Sequence, residues 1–200
     1  MLNVYFLRHG ETAWNAAGNR YCGRTDVSLT EKGIAQATFV QQQLKGISLA
    51  AVYASPLQRA FRTAQIAAGD RPVTADPRLI EVDFGHWEGK TREEFIAEDP
   101  GTWARWDEDP GDTKAGATGE TAMEVIHRVD GFFTEALQNH APGANILAVA
   151  HNGVNRLYLA WKLGMPVRNY RQLVQENSSI TLFTLDAQGG LTLKLLNARL

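Results

Sequence analysis

Three short apolar runs in this chain each deliver a charged or polar cluster at their carboxyl end. Leu2 to Leu7 runs into Arg8-His9-Gly10-Glu11-Thr12. Ala51 to Ala54 runs into Ser55-Pro56, with Arg59 just beyond. Ile146 to Ala150 runs into His151-Asn152-Gly153. An uncharged imidazole nitrogen is a competent nucleophile toward phosphorus, and guanidinium groups can grip phosphate oxygens two at a time. Gly10 permits close backbone approach, and the N–H groups after it could bind an anion. Asn15 adds a neutral donor. His151, if protonated, would be a second cationic donor to a transferring phosphoryl group. Each residue also has an ordinary role. A lone histidine is more often structural than catalytic. Arg59 could be a surface arginine paired with an acid, although Arg62, one turn further on, fits that role better. His151 could be a satisfied histidine at a sheet end, but Asn152-Gly153 favours the anion site.

Phosphate ester cleavage also needs an acid to protonate the leaving alkoxide. Glu81 lies in Leu79-Ile80-Glu81-Val82-Asp83-Phe84-Gly85-His86-Trp87-Glu88-Gly89. A carboxyl flanked by apolar residues and facing a phosphate suits the role, because burial and a nearby anion both favour the protonated form. Asp83 and Glu88 compete for it, all three could be solvated loop residues, and residue types alone do not choose among them.

The elements that would position these groups follow from periodicity. The runs at 2–7, 51–54 and 146–150 are continuous rather than alternating, as expected for parallel strands buried on both faces. Helical patterns separate them. Between Thr30 and Leu44, apolar residues recur at Ile34, Ala37, Val40 and Leu44. Ser55 reads as an N-cap with Pro56 as first helical residue, followed by a face of Leu57, Ala60, Phe61, Ala64 and Ala67. Thr91 to Glu94 and Thr121 to Glu124 resemble capping boxes. The second opens a long helix with Ala122, Val125, Ile126, Val129, Phe132, Phe133 and Leu137 inward, ending before Pro142-Gly143. A further helix follows Asn152 toward Leu163. Ser179 to Leu185 and Leu191 to Leu196 read as a β-hairpin at a sheet edge. Strands alternating with helices imply an α/β fold, in which ligands bind beyond the carboxyl ends of the strands. His9, the Ser55–Arg59 turn and His151 are therefore expected to converge.

Two hundred residues suit one domain spanning 1–200, and a 44% hydrophobic composition suffices for a full core. The segment 99–119, with Trp103, Trp106 and several acidic residues, reads as a lid-like excursion over the site. The alternative is a surface loop with both tryptophans packed inward. A net charge of −2 provides no global field for nucleic acid or anionic membrane, so neither is an expected partner. A single cysteine, Cys22, fits a reducing compartment. The N-terminal apolar run is too short for a signal peptide, and no run approaches a membrane span. A cytoplasmic protein is expected.

Taken together, these motifs resemble the histidine phosphatase superfamily, in its short, phosphoglycerate-mutase-like branch of α-ribazole phosphatase and broad-specificity phosphatase type. The matching residues are Leu7 to Thr12 with Trp14-Asn15, Asp26 to Thr30 with Gly33, Ser55 to Ala60 with Thr63-Ala64, and Glu81 with Phe84-Gly85 and Trp87-Glu88-Gly89. Gly119-Glu120-Thr121 and Val149 to Gly153 complete the set, in family order. The resemblance implies a three-layer sandwich whose mostly parallel central sheet is flanked by helices and carries an antiparallel edge strand. It implies that His9 becomes a phosphohistidine, that Arg8, Arg59 and His151 clamp the phosphoryl oxygens with Asn15 assisting, and that Glu81 is the general acid. Gly10, Arg24, Asn152 and Gly153 would contribute to substrate binding. Arg24 would meet a substrate carboxylate or pair with Asp26, and Arg20, Tyr21, Trp103 and Trp106 would shape the leaving-group pocket. No metal or other cofactor is implied.

Thr121 and Asn152 depart from the serine and glycine common in relatives, which bears on substrate fit more than on chemistry. The implied activity is metal-independent hydrolysis of a small phosphorylated metabolite. The rivals are a cofactor-dependent phosphoglycerate mutase, whose family members resemble longer chains, and an inactive phosphate-ester-binding module. The edge hairpin could pair across a homodimer.

Overall fold

Strand β1 (Leu2–Arg8) sits in the middle of a six-stranded sheet, because its apolar side chains have cover on both faces. The computed structural model describes residues 1–199; of the 1–200 span expected as one domain, Leu200 lies outside the described residues. After β1 the chain forms α1 (Ala13–Ala16), α2 (Glu31–Gln43), β2 (Leu49–Ala54), α3 (Gln58–Ala68) and the two-residue β3 (Thr74–Ala75). Helices α4 (Arg92–Glu98), α5 (Pro100–Glu108) and α6 (Ala122–Asn139) precede β4 (Asn145–Ala150) and α7 (Asn152–Lys162). The hairpin β5 (Ile180–Leu185) and β6 (Leu191–Ala198) closes the order.

The sheet runs β3-β2-β4-β1-β5-β6. Strands β3, β2, β4 and β1 are parallel; β5 joins β1 antiparallel and β6 joins β5 antiparallel. The hairpin thus supplies two antiparallel strands, with β6 outermost. Alternate residues of β4 serve two cores. Ile146, Ala148 and Ala150 face Phe6, Phe133, Tyr158 and Phe183 below α6 and α7. Leu147 and Val149 face Leu7, Val52, Ala60 and Ala64 below α2 and α3. Edge-to-face contacts of Phe6 with Phe133 and Phe183, at 5.3 and 6.0 Å, fill the first. This is the three-layer arrangement expected.

The capping boxes at Thr91 and Thr121 are formed, each threonine accepting the N–H of the glutamate three residues on. Thr30 caps α2. Two expectations need correction. Ile34 is 42% exposed, and α2 buries Gly33, Ala37, Val40 and Leu44 instead. The cap of α3 is not Ser55, and Pro56 lies before the helix, which begins at Gln58. Ser55 Oγ accepts the Leu57 N–H at 3.3 Å, making a turn, and the Gln58 N–H is accepted by Asp26 Oδ1 at 2.8 Å. A side chain 32 positions upstream satisfies the helix end.

The segment 99–119 is mostly helical and fastens to the core. Trp106 is fully buried, its Nε1 donating to Tyr170 Oη at 3.4 Å, and Trp103 packs half-buried against the same cluster. None of its residues lines the cavity described below, so it backs the wall instead of covering the opening.

Candidate active site

The strand register determines where the reactive groups emerge. Arg8 of β1 is level with Ala150 of β4, and Ala54 of β2 with Val149. Beyond those positions the His9 N–H is accepted by Ala150 O and the Ser55 N–H by Val149 O, both at 3.0 Å. His9, Ser55 and His151 therefore leave the sheet side by side, as expected of an α/β sheet. The imidazole rings of His9 and His151 lie 5.1 Å apart between centroids, tilted by 59°.

The orientation of His9 is set by one hydrogen bond. Its Nδ1 lies 2.7 Å from Gly10 O. A carbonyl only accepts, so Nδ1 carries the proton and Nε2 keeps its lone pair. Burial, and then the charges of Arg59 and Arg8, hold the His9 pKa well below its ordinary value. The imidazole is neutral at pH 7, the state a nucleophile needs. His151 is depressed in the same direction, by burial first and then by Arg59 and His9. The condition attached to His151 as a cationic donor, that it be protonated, is therefore not met by these surroundings at pH 7.

Arg8 and Arg59 are buried and anchored at one edge. Arg8 Nη1 donates to Gln175 O at 2.7 Å, and Arg59 donates to Thr25 O and Gly23 O at 2.8 and 2.7 Å. These carbonyls aim the guanidinium groups without neutralising them. Burial pushes the Arg8 pKa down to about 10 and also lowers that of Arg59, yet both stay charged at pH 7. Arg8 Nε, Arg59 Nε and both ring nitrogens of His151 are buried with no hydrogen-bond partner in the protein. Buried polar atoms in folded proteins are nearly always partnered, so four orphans beside one imidazole mark a place for an anion.

Glu81 is buried at 6% exposure. Its Oε1 accepts the N–H groups of Val82 and Val154, at 2.9 and 3.1 Å, and its Oε2 accepts that of Gly153 at 3.2 Å. The first turn of α7 therefore holds this carboxylate, and Gly153, which also lines the cavity, positions Glu81. The other two acids are occupied elsewhere. Glu88 accepts from the backbone of Arg24 and Thr25, and Asp83 lies 3.8 Å from Arg24 Nη1. Of the three, Glu81 alone lines the cavity, and it is the one that the family resemblance gives as the acid.

A cavity of about 420 Å³ opens over these groups, lined by Arg8, His9, Asn15, Glu81, Asn152 and Gly153 among others. Arg59 and His151 lie buried beside it. Asn15 Oδ1 is taken by the Thr12 N–H and by Asn177 Nδ2, at 3.1 and 3.2 Å, which leaves Nδ2 as its donor. Gly10 does not line the cavity. Its N–H goes to Thr63 Oγ1 at 3.0 Å, and a Cβ there would lie 2.5 Å from Gly33 O, so its lack of a side chain serves strand–helix packing. Arg24 is also outside, held 3.1 Å from Glu120 Oε1 rather than meeting the cavity or Asp26. Arg62 is exposed and, among the described residues, its side chain reaches Gln65 at 3.5 Å and no acid.

Sequence reasoning missed three contributors. Asn177 Nδ2 also donates to His9 O at 3.1 Å, and Arg156 and Arg171 line the cavity. Arg156 lies one helical turn after Asn152 and was findable by that spacing. The other two carry no sequence signal. Among the described residues no group of three or more His, Cys, Asp or Glu side chains is placed to hold a metal ion, and no helix is long and apolar enough to cross a membrane.

Known proteins resemble this chain in sequence and in fold. A solved phosphoserine phosphatase variant from Entamoeba histolytica, in complex with phosphoserine, superposes with a TM-score of 0.90 at 30% identity, covering all of this chain and 98% of that one. The adenosylcobalamin/alpha-ribazole phosphatase of Escherichia coli is 32% identical over 99% of this chain and 97% of its own length. A protein of Cronobacter sakazakii named probable phosphoglycerate mutase GpmB is 36% identical, over 90% of this chain and 84% of its own. The sequence profile of the histidine phosphatase superfamily, branch 1, matches residues 4–199, and the chain belongs to that family as a phosphoric monoester hydrolase.

Proposed function

We propose that this protein hydrolyses a small phosphorylated metabolite in two steps through a phosphohistidine at His9, without a metal ion. The observation that carries the reading is the set of four orphaned buried nitrogens around a neutral His9 whose Nε2 is free. The phosphoryl group of the ester sits among Arg8, Arg59 and His151, with Asn15 Nδ2 assisting. Fixed donors there stabilise charge as it builds on the equatorial oxygens. His9 Nε2 attacks phosphorus in line; the P–O ester bond breaks, and the leaving oxygen takes a proton from Glu81. The Glu81 carboxylate then removes a proton from water, whose oxygen attacks phosphorus and releases inorganic phosphate and neutral His9.

The names of the relatives support small phosphate esters as the substrate class. The decisive experiment measures phosphate release from p-nitrophenyl phosphate, α-ribazole phosphate, phosphoserine and 3-phosphoglycerate with EDTA present, comparing the protein with its His9→Ala variant. Turnover in EDTA that falls by about 10³-fold or more in the variant is expected. Near-normal turnover by the variant would sink the proposal.

The similarity to the Cronobacter protein favours one second reading, a phosphoglycerate mutase built on the same His9 chemistry. Interconversion of 2- and 3-phosphoglycerate without net phosphate release would establish it in place of hydrolysis.

A further inference from the structure

Five arginines but only one carboxylate, Glu81, line the cavity. Arg8 belongs to the phosphate site, and Arg20 is held by both oxygens of Glu94 at 2.6 and 2.9 Å. Arg92, Arg156 and Arg171 remain.

Arg171 is the most constrained of these. Its guanidinium lies 4.5 Å from the ring centroids of both Trp103 and Tyr170. Its Nη1 reaches Asp107 only at 3.5 Å, and that carboxylate is 60% exposed. Its Nη2 is buried with no hydrogen-bond partner. Arg156 also lies over the Tyr170 ring, at 5.1 Å, and its Nε donates to Tyr170 O at 3.2 Å. No carboxylate among the described residues lies within ion-pair distance of Arg156. Burial lowers its pKa, with the neighbouring Arg171 charge acting the same way against the opposing effects of Tyr170, Tyr21 and Glu81. Two half-buried like charges facing one cavity are costly unless an anion joins them. Arg156 stands one turn after Asn152 on α7, and with Arg171 it lines the same cavity as Arg8 and His9. The pair therefore faces the space that the alcohol portion of an ester would enter once its phosphate is held at Arg8 and His9.

We infer that the alcohol portion of the substrate carries a second anionic group, a carboxylate or a phosphate, bound by Arg156 and Arg171. The aromatic faces of Trp103 and Tyr170 hold Arg171 in one plane, which suits a bidentate contact with either group. This assignment also explains the place of the 99–119 segment, since Trp103 supports the wall that carries the charge. The inference rests on the phosphatase reading for the position of the ester phosphate.

The test measures binding without turnover. Isothermal calorimetry on the His9→Ala protein compares glycerol 1-phosphate, 3-phosphoglycerate and glycerol 1,3-bisphosphate. The three share a carbon chain and differ in whether its far end is neutral, a carboxylate or a phosphate. At least one doubly anionic ester is expected to bind about tenfold or more tighter than glycerol 1-phosphate. Arg156→Met or Arg171→Met, added to His9→Ala, should each remove most of that preference, and Arg171→Lys should restore part of it. Whichever ester gains more identifies the anion. Dissociation constants for all three within about twofold of each other, or a preference that survives both methionine variants, would overturn the inference. If His9→Ala fails to fold, the same ratios are read as kcat/KM on the otherwise unaltered protein. If instead that protein releases no phosphate while the binding preference stands, the phosphatase reading has failed and the second-anion site has not.

Discussion

Gly153 and Glu81 fit one another: the Gly153 N–H donates to Glu81 Oε2 at 3.2 Å, and a Cβ at position 153 would stand 2.7 Å from Glu81 Oε1. The glycine gives the carboxylate both a donor and the space it occupies. Any side chain there must push Glu81 off the first turn of α7.

Gly153→Ala should therefore act on Glu81 rather than on phosphate binding. A displaced acid matters most when the leaving oxygen is a poor one. With an alkyl phosphate, kcat is expected to fall by about 10²-fold, while p-nitrophenyl phosphate, whose leaving group needs little protonation, should lose far less. Glu81→Gln should show the same split. Equal losses on both esters in steady-state assays would remove Glu81 from the acid role.

The two depressed histidines make stability depend on pH. Their folded pKa values lie below the unfolded value of 6.5, so the unfolded chain binds more protons in between. Their contribution is fully present above pH 6.5 and is lost as pH falls through the folded pKa. Melting curves should show Tm falling by several degrees between pH 7 and pH 5, and His9→Ala should flatten that slope. A Tm unchanged over this interval in the unaltered protein would refute it.

Anion binding should reverse the depression of His151. A phosphate dianion placed between Arg8, Arg59 and His151 favours the imidazolium form. Titration with inorganic phosphate at pH 7 should therefore take up protons. Calorimetry in two buffers of different ionisation enthalpy would read this as a buffer-dependent heat. His151→Ala should remove most of the difference, and identical heats in both buffers from the unaltered protein would count against the assignment.

The Trp106 side chain ties the 99–119 segment to the core. Trp106→Ala leaves a cavity under α5 and releases Tyr170 Oη from its partner. Urea denaturation is expected to show a loss of about 3–5 kcal/mol. A loss near zero would mean that this segment is not fastened as described.

The residues of the central strands were legible in the amino-acid sequence for a physical reason. A parallel strand buried on both faces must be a short apolar run, and the groups at its carboxyl end are exposed to whatever the sheet binds. That is why Arg8, His9 and His151 were recognisable, as were the capping boxes at Thr91 and Thr121, whose partners lie three residues apart. Everything that depends on distant segments was not. Asp26 capping α3, Gly153 holding Glu81, and Asn177 bracing His9 are contacts across 32, 72 and 168 positions. No local periodicity encodes them. The removal of Arg24 from the cavity and the gathering of Arg156 with Arg171 on Tyr170 follow from packing. The sequence determined which chemistry is available; the tertiary structure decided which groups face the cavity, in what protonation state, and which ones merely hold others in place.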